Sequence, residues 1–426
     1  MIWLTRHRLR RYLRSSLFLP PAASIVLALL VAPAVRWVDG RTQWTLLGFG
    51  PSGAAAVVSG LSSSLLSLIV FAFSILLLAI QIAGGQLSPR IIARIFSTRL
   101  LKLALSAFVF SYTYSLAALS RIGERVPQLP VALAIFTSLT SLAIFVYLVQ
   151  RIGEAFRPGT VMTMVAAETR RVVDAMYPRP FTPGGGEHAA FPLDASRADR
   201  VVVQRKAAGV VLAFDAEGLS TLAARAGCLV ELVPQVGDFL AVGEPVFRLY
   251  GPGSAAVDEQ ALRDSVALGI ERTMEQDPAF GFRIIVDIAS KALSPAINDP
   301  TTGVLAVDQL HHLLSLVGSR QLDTGVVRDA SGAVRLVYRT PDWEDFVTLA
   351  ATEPRIYGAT NPQVTRRLRA MYDQLLRVVP AERAEALRRE VSLLERTLEG
   401  AWASPPDRAI AGASDLQGFG SRARGA

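Results

Sequence analysis

Residues 61–82 read LSSSLLSLIVFAFSILLLAIQI, the longest apolar run in the chain and one without a single charge. About 20 apolar residues at 1.5 Å each span the hydrocarbon of a bilayer, so the run predicts a membrane-crossing helix. Gly84-Gly85-Gln86-Leu87-Ser88-Pro89-Arg90 follows and reads as a helix stop and turn. The polar residues of the run are ordered. Ser59, Ser63, Ser67, Ser74 and Gln81 are spaced by four, four, seven and seven residues. At 100° per residue they fall within about 80° of one another, a hydroxyl stripe on an otherwise apolar cylinder, with Leu68 expected on the lipid side. Hydrocarbon offers hydroxyls no partner, so the stripe should meet another helix or water. Two roles fit: helix packing through small residues, or the lining of a polar conduit.

Working outward, the chain has 426 residues and a formal charge of +8, long enough for two or three domains. The charge is unevenly placed. Residues 1–157 carry 15 Lys/Arg against 3 Asp/Glu, and residues 158–426 carry 29 against 33. The basic balance therefore belongs to the hydrophobic half, where it flanks helices, and no basic, aromatic-studded face points to nucleic acid. A single cysteine, Cys228, excludes an internal disulfide and a cysteine-based zinc site, and it reads as an inert core thiol.

Three more apolar segments accompany the striped helix. Arg6, Arg8, Arg10, Arg11 and Arg14 precede the segment 17–35. That pattern allows a signal peptide with Ala32-Pro33-Ala34 as a weak cleavage site, but the further hydrophobic segments favour an uncleaved first helix. The third segment covers about 101–119, and the fourth about 129–149. Basic residues favour the N-terminal tail, the 83–100 connection and the exit after segment four. This places both termini in the cytoplasm, with the bilayer and further copies of the chain as expected partners.

The remainder predicts a cytoplasmic α+β part. An amphipathic exit helix over 160–177, with Val161, Met164, Val165, Val172 and Met176 near one face, and a Pro/Gly linker fill 158–186. A small β-barrel-like or sandwich module is expected over 187–253, from β-type runs at 201–204, 209–214, 229–234 and 245–250 around a short helix at 217–226. Its turn 236–245 resembles the hairpin of biotinyl/lipoyl-type domains, but no lysine stands at the tip, so no covalent cofactor is expected. A mainly helical domain is expected over 254–402, with helices at 261–276, 282–293 and 301–317, a hairpin joining 326–328 to 334–339, and two C-terminal helices starting near Asn361-Pro362 and Pro380. The Ser/Pro/Gly/Arg-rich segment 403–426 reads as a disordered tail.

Polar functionality concentrates at 287–301. Arg283, Asp287 and Lys291 stand at i, i+4 and i+8, a stack of alternating charge on one helix face. Asn298 or Asp299 can cap the following helix, with Pro300 in its first turn. The functional alternative is a polar pocket or hard-cation site from Asp287, Ser294, Asn298, Asp299 and Asp308. His311 and His312 are adjacent and lack helical zinc-pair spacing. No phosphate-binding loop, dinucleotide fingerprint or nucleophile elbow occurs, so no metal, cofactor or enzymatic activity is expected.

Gln86-Leu87-Ser88-Pro89-Arg90 after a second membrane helix, the Gly237-Asp238-Phe239 turn, and the run Ala292-Leu293-Ser294-Pro295-Ala296-Ile297-Asn298-Asp299-Pro300 resemble a domain-of-unknown-function family of predicted bacterial membrane proteins. The resemblance covers most of the chain and implies a bacterial inner-membrane protein of four membrane helices with a large cytoplasmic part, and no defined activity. The Arg/Gly tail after Trp402 departs from it. The function expected from these features is an oligomeric channel or transport-related protein with a cytoplasmic regulatory domain. A non-conducting membrane scaffold or signalling subunit is the alternative.

Overall fold

The computed structural model describes residues 16–42, 48–86, 99–155, 157–184, 193–205 and 207–417. They divide into two compact units, one reaching Thr160 and one starting at Val161. The Gln86–Arg90 motif and the Arg-rich N-terminal tail lie largely or wholly outside the described residues.

In the first unit, four helices are long and apolar enough to cross a membrane. They are α1 (Leu19–Thr42), α2 (Pro51–Gln86), α3 (Arg99–Leu119) and α4 (Gln128–Ala155). The expected stop at Gly84-Gly85 is absent, because α2 runs through both glycines to Gln86. Its 36 residues measure about 54 Å, well beyond a bilayer core, so α2 must tilt or project into the aqueous layer. Helix α3 packs against all three others. Small side chains permit that approach. Ala28, Ala54, Val58, Ala118, Val131 and Ala134 surround Tyr114 in one apolar cluster, and Ala72, Leu76, Ala104, Leu105 and Phe108 belong to a second.

In the second unit, α5 (Pro158–Met176) turns its buried face inward through Val161, Met162, Val165, Ala166, Thr169 and Val173. That face is rotated from the expected one, since Met164, Val172 and Met176 are only partly buried. The first residues of the expected linker are structured. Arg179 and Phe181 exchange backbone hydrogen bonds with Gln321 and Ser319, and Pro180 bridges Arg320.

The β-type runs form β1 (Arg200–Val203), β2 (Gly209–Phe214), β3 (Leu229–Leu232), β4 (Phe239–Leu240) and β5 (Pro245–Tyr250), with α6 (Ala216–Ala226) between them. The barrel-like module ending at 253 does not stand alone. After α7 (Glu259–Asp264), the middle of the expected 261–276 helix is strand β6 (Val266–Gly269), paired antiparallel with β2, and residues 270–276 form neither helix nor strand. Strands β7 (Val326–Arg328) and β8 (Val334–Tyr338) also return, and β8 lies parallel to β3. The result is two open sheets, ordered β1-β5-β3-β8-β7 and β4-β2-β6. A single apolar core unites Val202, Phe247, Val266 and Leu336 across the expected boundary. Short apolar runs such as Val266–Gly269 suit helix or strand, and pairing with β2 decides.

Helices α8 (Pro278–Ala292), α9 (Pro300–Gly318), α10 (Trp343–Tyr357), α11 (Pro362–Val378) and α12 (Ala384–Ala401) pack as a second layer. Asp277-Pro278, Asp299-Pro300 and Asn361-Pro362 start three of them in the same way. The Asx side chain accepts a hydrogen bond from a first-turn N–H, and proline fills a position whose N–H has no helical partner. The segment expected to be disordered contains α13 (Pro405–Ala411), held by Thr365 Oγ1 donating to the Ala411 carbonyl at 2.7 Å. Residues 418–426 lie outside the described residues.

Candidate functional site

The stripe on α2 faces away from its own bundle. Ala54, Val58, Ser62, Leu65, Ala72 and Leu76 are buried, whereas Ser59, Ser63, Ser67, Ser74 and Gln81 are all exposed. On a helical wheel the two faces stand about 150° apart. Ser67 and Ser74 donate to the carbonyls of Ser63 and Val70, at 3.1 and 3.0 Å, so these two hydroxyls are satisfied within the helix. Leu68, expected toward lipid, instead packs against the Ala72–Phe108 cluster, while Leu66, Val70, Phe71 and Leu77 are exposed.

Hydroxyls do link helices inside the bundle, but between α3 and α4. Ser111 and Ser141 approach to 2.8 Å, and Ser111 also donates to the Thr137 carbonyl at 3.1 Å. The signal was in the sequence: Ser111 and Ser115 on α3, and Ser138 and Ser141 on α4, each pair at i, i+3 or i, i+4, all four buried.

The cluster proposed around 287–308 is spread over separate partners. Asp287 accepts from Arg283 Nε at 2.6 Å, and the same guanidinium pairs with Glu353 on α10, an acid outside the sequence-derived set. Asp299 caps α9, accepting from the Thr302 N–H at 3.1 Å and from the Thr302 hydroxyl. Asn298 sits at φ +47 in the exposed turn before it, and Ser294 Oγ donates to the Lys291 carbonyl at 2.7 Å. Asp308 accepts from Arg367 Nε on α11 at 2.6 Å. Among the described residues, no group of three or more His, Cys, Asp or Glu side chains is placed to hold a metal ion.

The two histidines separate as adjacent helical residues must. His312 is exposed, whereas His311 Nδ1 lies 2.9 Å from Arg367 Nη2. Burial, reinforced by the Arg367 cation, pulls the His311 imidazole down to about 4. Cys228 is buried in the β core, and burial pushes its thiol up, away from thiolate chemistry.

A buried ionic group that the sequence reading missed joins α10, α11 and α12. Glu390 is 5% exposed and lies 3.6 Å from Arg355 Nε, while the fully buried Tyr372 hydroxyl has no hydrogen-bond partner. Burial holds the Glu390 carboxyl above its ordinary range, with Arg355 opposing. Arg355, Tyr372 and Glu390 lie far apart in sequence, and no local spacing announces them.

A family model described as "Predicted membrane protein (DUF2254)" matches residues 14–374. The chain is 28% identical over 373 residues to Uncharacterized protein Rv1290c of Mycobacterium tuberculosis, covering 84% of this chain and 71% of that protein. Uncharacterized protein Mb1321c of Mycobacterium bovis shows the same identity and coverage. No solved structure matches.

Proposed function

We propose that this chain, which belongs to the DUF2254 family of predicted membrane proteins, is a non-catalytic inner-membrane protein that assembles with copies of itself through the striped face of α2. The assembly forms a polar path gated or sensed by the second unit. One observation carries the reading: Ser59, Ser63, Ser67, Ser74 and Gln81 lie on the side of α2 that its own bundle leaves uncovered. A row of hydroxyls and a carboxamide along a membrane helix gains by meeting protein or water in place of lipid. Both termini are placed in the cytoplasm, as the distribution of arginines favours.

The scaffold alternative draws on a different observation. The Ser67 and Ser74 hydroxyls already donate to helix carbonyls, so the stripe can serve as a small-residue packing face without water.

Cysteine substitution separates the readings in full-length protein carrying Cys228→Ser. Ser67→Cys is expected to cross-link between copies, whereas Ser141→Cys, buried against α3, is not. Modification of Ser67→Cys by a membrane-impermeant thiol reagent, with flux in liposomes, supports the conduit. Cross-linking without modification supports the scaffold. A Ser67→Cys chain that neither cross-links nor reacts contradicts self-assembly through this face. For orientation, reporters near Gly184 and after Trp402 should report cytoplasm and one at Asp39 the periplasm; a periplasmic signal at Gly184 would reverse the assignment.

A further inference from the structure

A cleft of about 750 Å³ opens at the end of the membrane unit where α1 and α3 finish and α4 begins. Its walls are largely apolar, with Leu29, Ala32 and Pro33 of α1, Ala117 and Ala118 of α3, and Pro130 of α4. The α1 contribution follows from helical spacing. Residues 29, 32, 33, 36 and 40 fall on one face, so the apolar wall leads directly to Arg36. Pro33 has no N–H to give the carbonyl four residues earlier, which leaves the Leu29 carbonyl without that donor beside the cleft.

Three polar features stand against this wall. Arg36 and Arg121 both line the cleft, and among the described residues neither guanidinium has an ion-pair or hydrogen-bond partner. Asp39 in the last turns of α1 and Glu124 in the connection between α3 and α4 are the acids at this end. Asp39 accepts from the Leu129 backbone N–H at 2.7 Å, and neither acid is paired with these arginines. Tyr114 also lines the cleft; it is fully buried, and its hydroxyl has no hydrogen-bond partner. A buried hydroxyl left unpaired is costly, and its retention in a cleft that two unpaired cations also line marks a polar place within an apolar one. Trp37, 60% exposed and stacked under the Arg41 guanidinium at 3.7 Å, is the aromatic that prefers the head-group layer of a bilayer.

We propose that this cleft is a binding site for an anionic phospholipid. Arg36 and Arg121 take the phosphate-bearing head group and the wall from Leu29 to Pro130 takes part of an acyl chain. Guanidinium matches phosphate oxygens in charge and geometry. A cleft that is mostly apolar, with a few convergent polar groups, suits an amphiphile better than a small soluble anion. No residue of the α2 stripe lines the cleft, so this site stands or falls separately from assembly through α2.

The test uses purified full-length protein in detergent, titrated with phosphatidylglycerol or phosphatidylcholine and read by native mass spectrometry. One phosphatidylglycerol per chain is expected to remain bound, with a preference of about tenfold or more over phosphatidylcholine, given two arginines near the head group. Arg36→Gln/Arg121→Gln should lower that retention by about tenfold or more, at the same per-arginine worth. Arg125→Gln, in the same connection but outside the cleft, should leave retention unchanged. Ala117→Phe keeps both arginines and fills the cleft, and it should also expel the lipid. It decides the matter if the double variant fails to fold. Equal retention of the two lipids, a loss in Arg125→Gln as large as in the double variant, or displacement by inorganic phosphate would each overturn the proposal. The last outcome would mark a site for the free anion.

Discussion

Ser111 on α3 and Ser141 on α4 bring their hydroxyl oxygens to 2.8 Å in the interior of the membrane unit. The exposed Ser67 on α2 makes its hydrogen bond only within its own helix. The two kinds of serine should respond differently to the same change. Ser141→Leu inserts bulk where α3 and α4 touch and should lower the melting temperature of the detergent-solubilised chain. Ser111→Ala should cost only about 1 kcal/mol, because hydroxyl pairs in membranes are individually weak. Ser67→Leu should leave the melting temperature unchanged and alter oligomer yield. Equal thermal effects of Ser67→Leu and Ser141→Leu would contradict the inside–outside assignment.

Stability should depend on pH through His311. Its imidazole is held near 4 in the fold, against about 6.5 in an unfolded chain. Between those values the unfolded chain binds a proton that the folded one refuses, so stability rises with pH across the window and is lost on acidification. With the group only partly buried, the loss from pH 7 to pH 4 should be about 1–3 kcal/mol. His311→Gln should remove that part of the slope, measured as the urea midpoint at several pH values. An unchanged slope in the variant would assign it to other groups.

What could be read from the sequence follows from the range of the forces involved. The four spans, strands β2 and β5, and the Asp299-Pro300 and Asn361-Pro362 starts depend on neighbours within a turn or two, and they were legible. The module boundary at 253 was not, because β6 and β8 complete the sheets from positions distant in sequence. Helix α10 went unread although the Asp342–Asp345 capping box and the spacing of Phe346, Val347, Ala350 and Ala351 mark it. The exposed direction of the α2 stripe lay beyond sequence reading for a physical reason. In a membrane, apolar residues face both lipid and neighbouring helices, so polarity alone does not say which side is buried.

The Arg355–Glu390 pair should behave as a buried charge pair. Arg355→Met leaves the Glu390 carboxylate unpaired among α10, α11 and α12 and should cost about 3–5 kcal/mol. Replacing both residues with Met should recover most of that loss, since two desolvated charges are removed together. Denaturant unfolding of the two single variants and the double variant supplies the cycle. Additive costs would mean that the 3.6 Å approach carries no coupling.

Gly281 on α8 should tolerate no side chain. A Cβ there would stand 1.8 Å from Thr169 Oγ1 on α5, and Thr169 is itself fully buried. Gly281→Ala must therefore push α5 off α8, at about 1–3 kcal/mol for an overpacked contact. Thr169→Ala should relieve much of the clash and rescue Gly281→Ala in part. A neutral Gly281→Ala would show that α5 is not seated on α8.

The run 292–300 allows structure and ion binding to be told apart. As a cap, Asp299 should cost about 0.5–2 kcal/mol when changed to Ala, because the Thr302 N–H loses its acceptor. Asn298 at φ +47 occupies the left-handed region, so Asn298→Gly should be nearly neutral. Asn298→Val should cost about 1–2 kcal/mol, because a branched Cβ crowds the backbone there. Asp287→Asn should cost little, since a partly exposed i, i+4 pair on a helix is worth about 0.3 kcal/mol, with a further loss from the Arg283–Glu353 arrangement it shares. None of these effects should depend on magnesium or calcium. A cation held by Asp287, Asn298 and Asp299 would instead raise the melting temperature by mass action, and Asp299→Asn would abolish the rise. The measurement belongs on protein that retains α5. A fragment beginning at residue 187 lacks the buried face from Val161 to Val173 and would confuse loss of packing with loss of a ligand. A cation-dependent rise that disappears in Asp299→Asn would replace the capping account with an ion site.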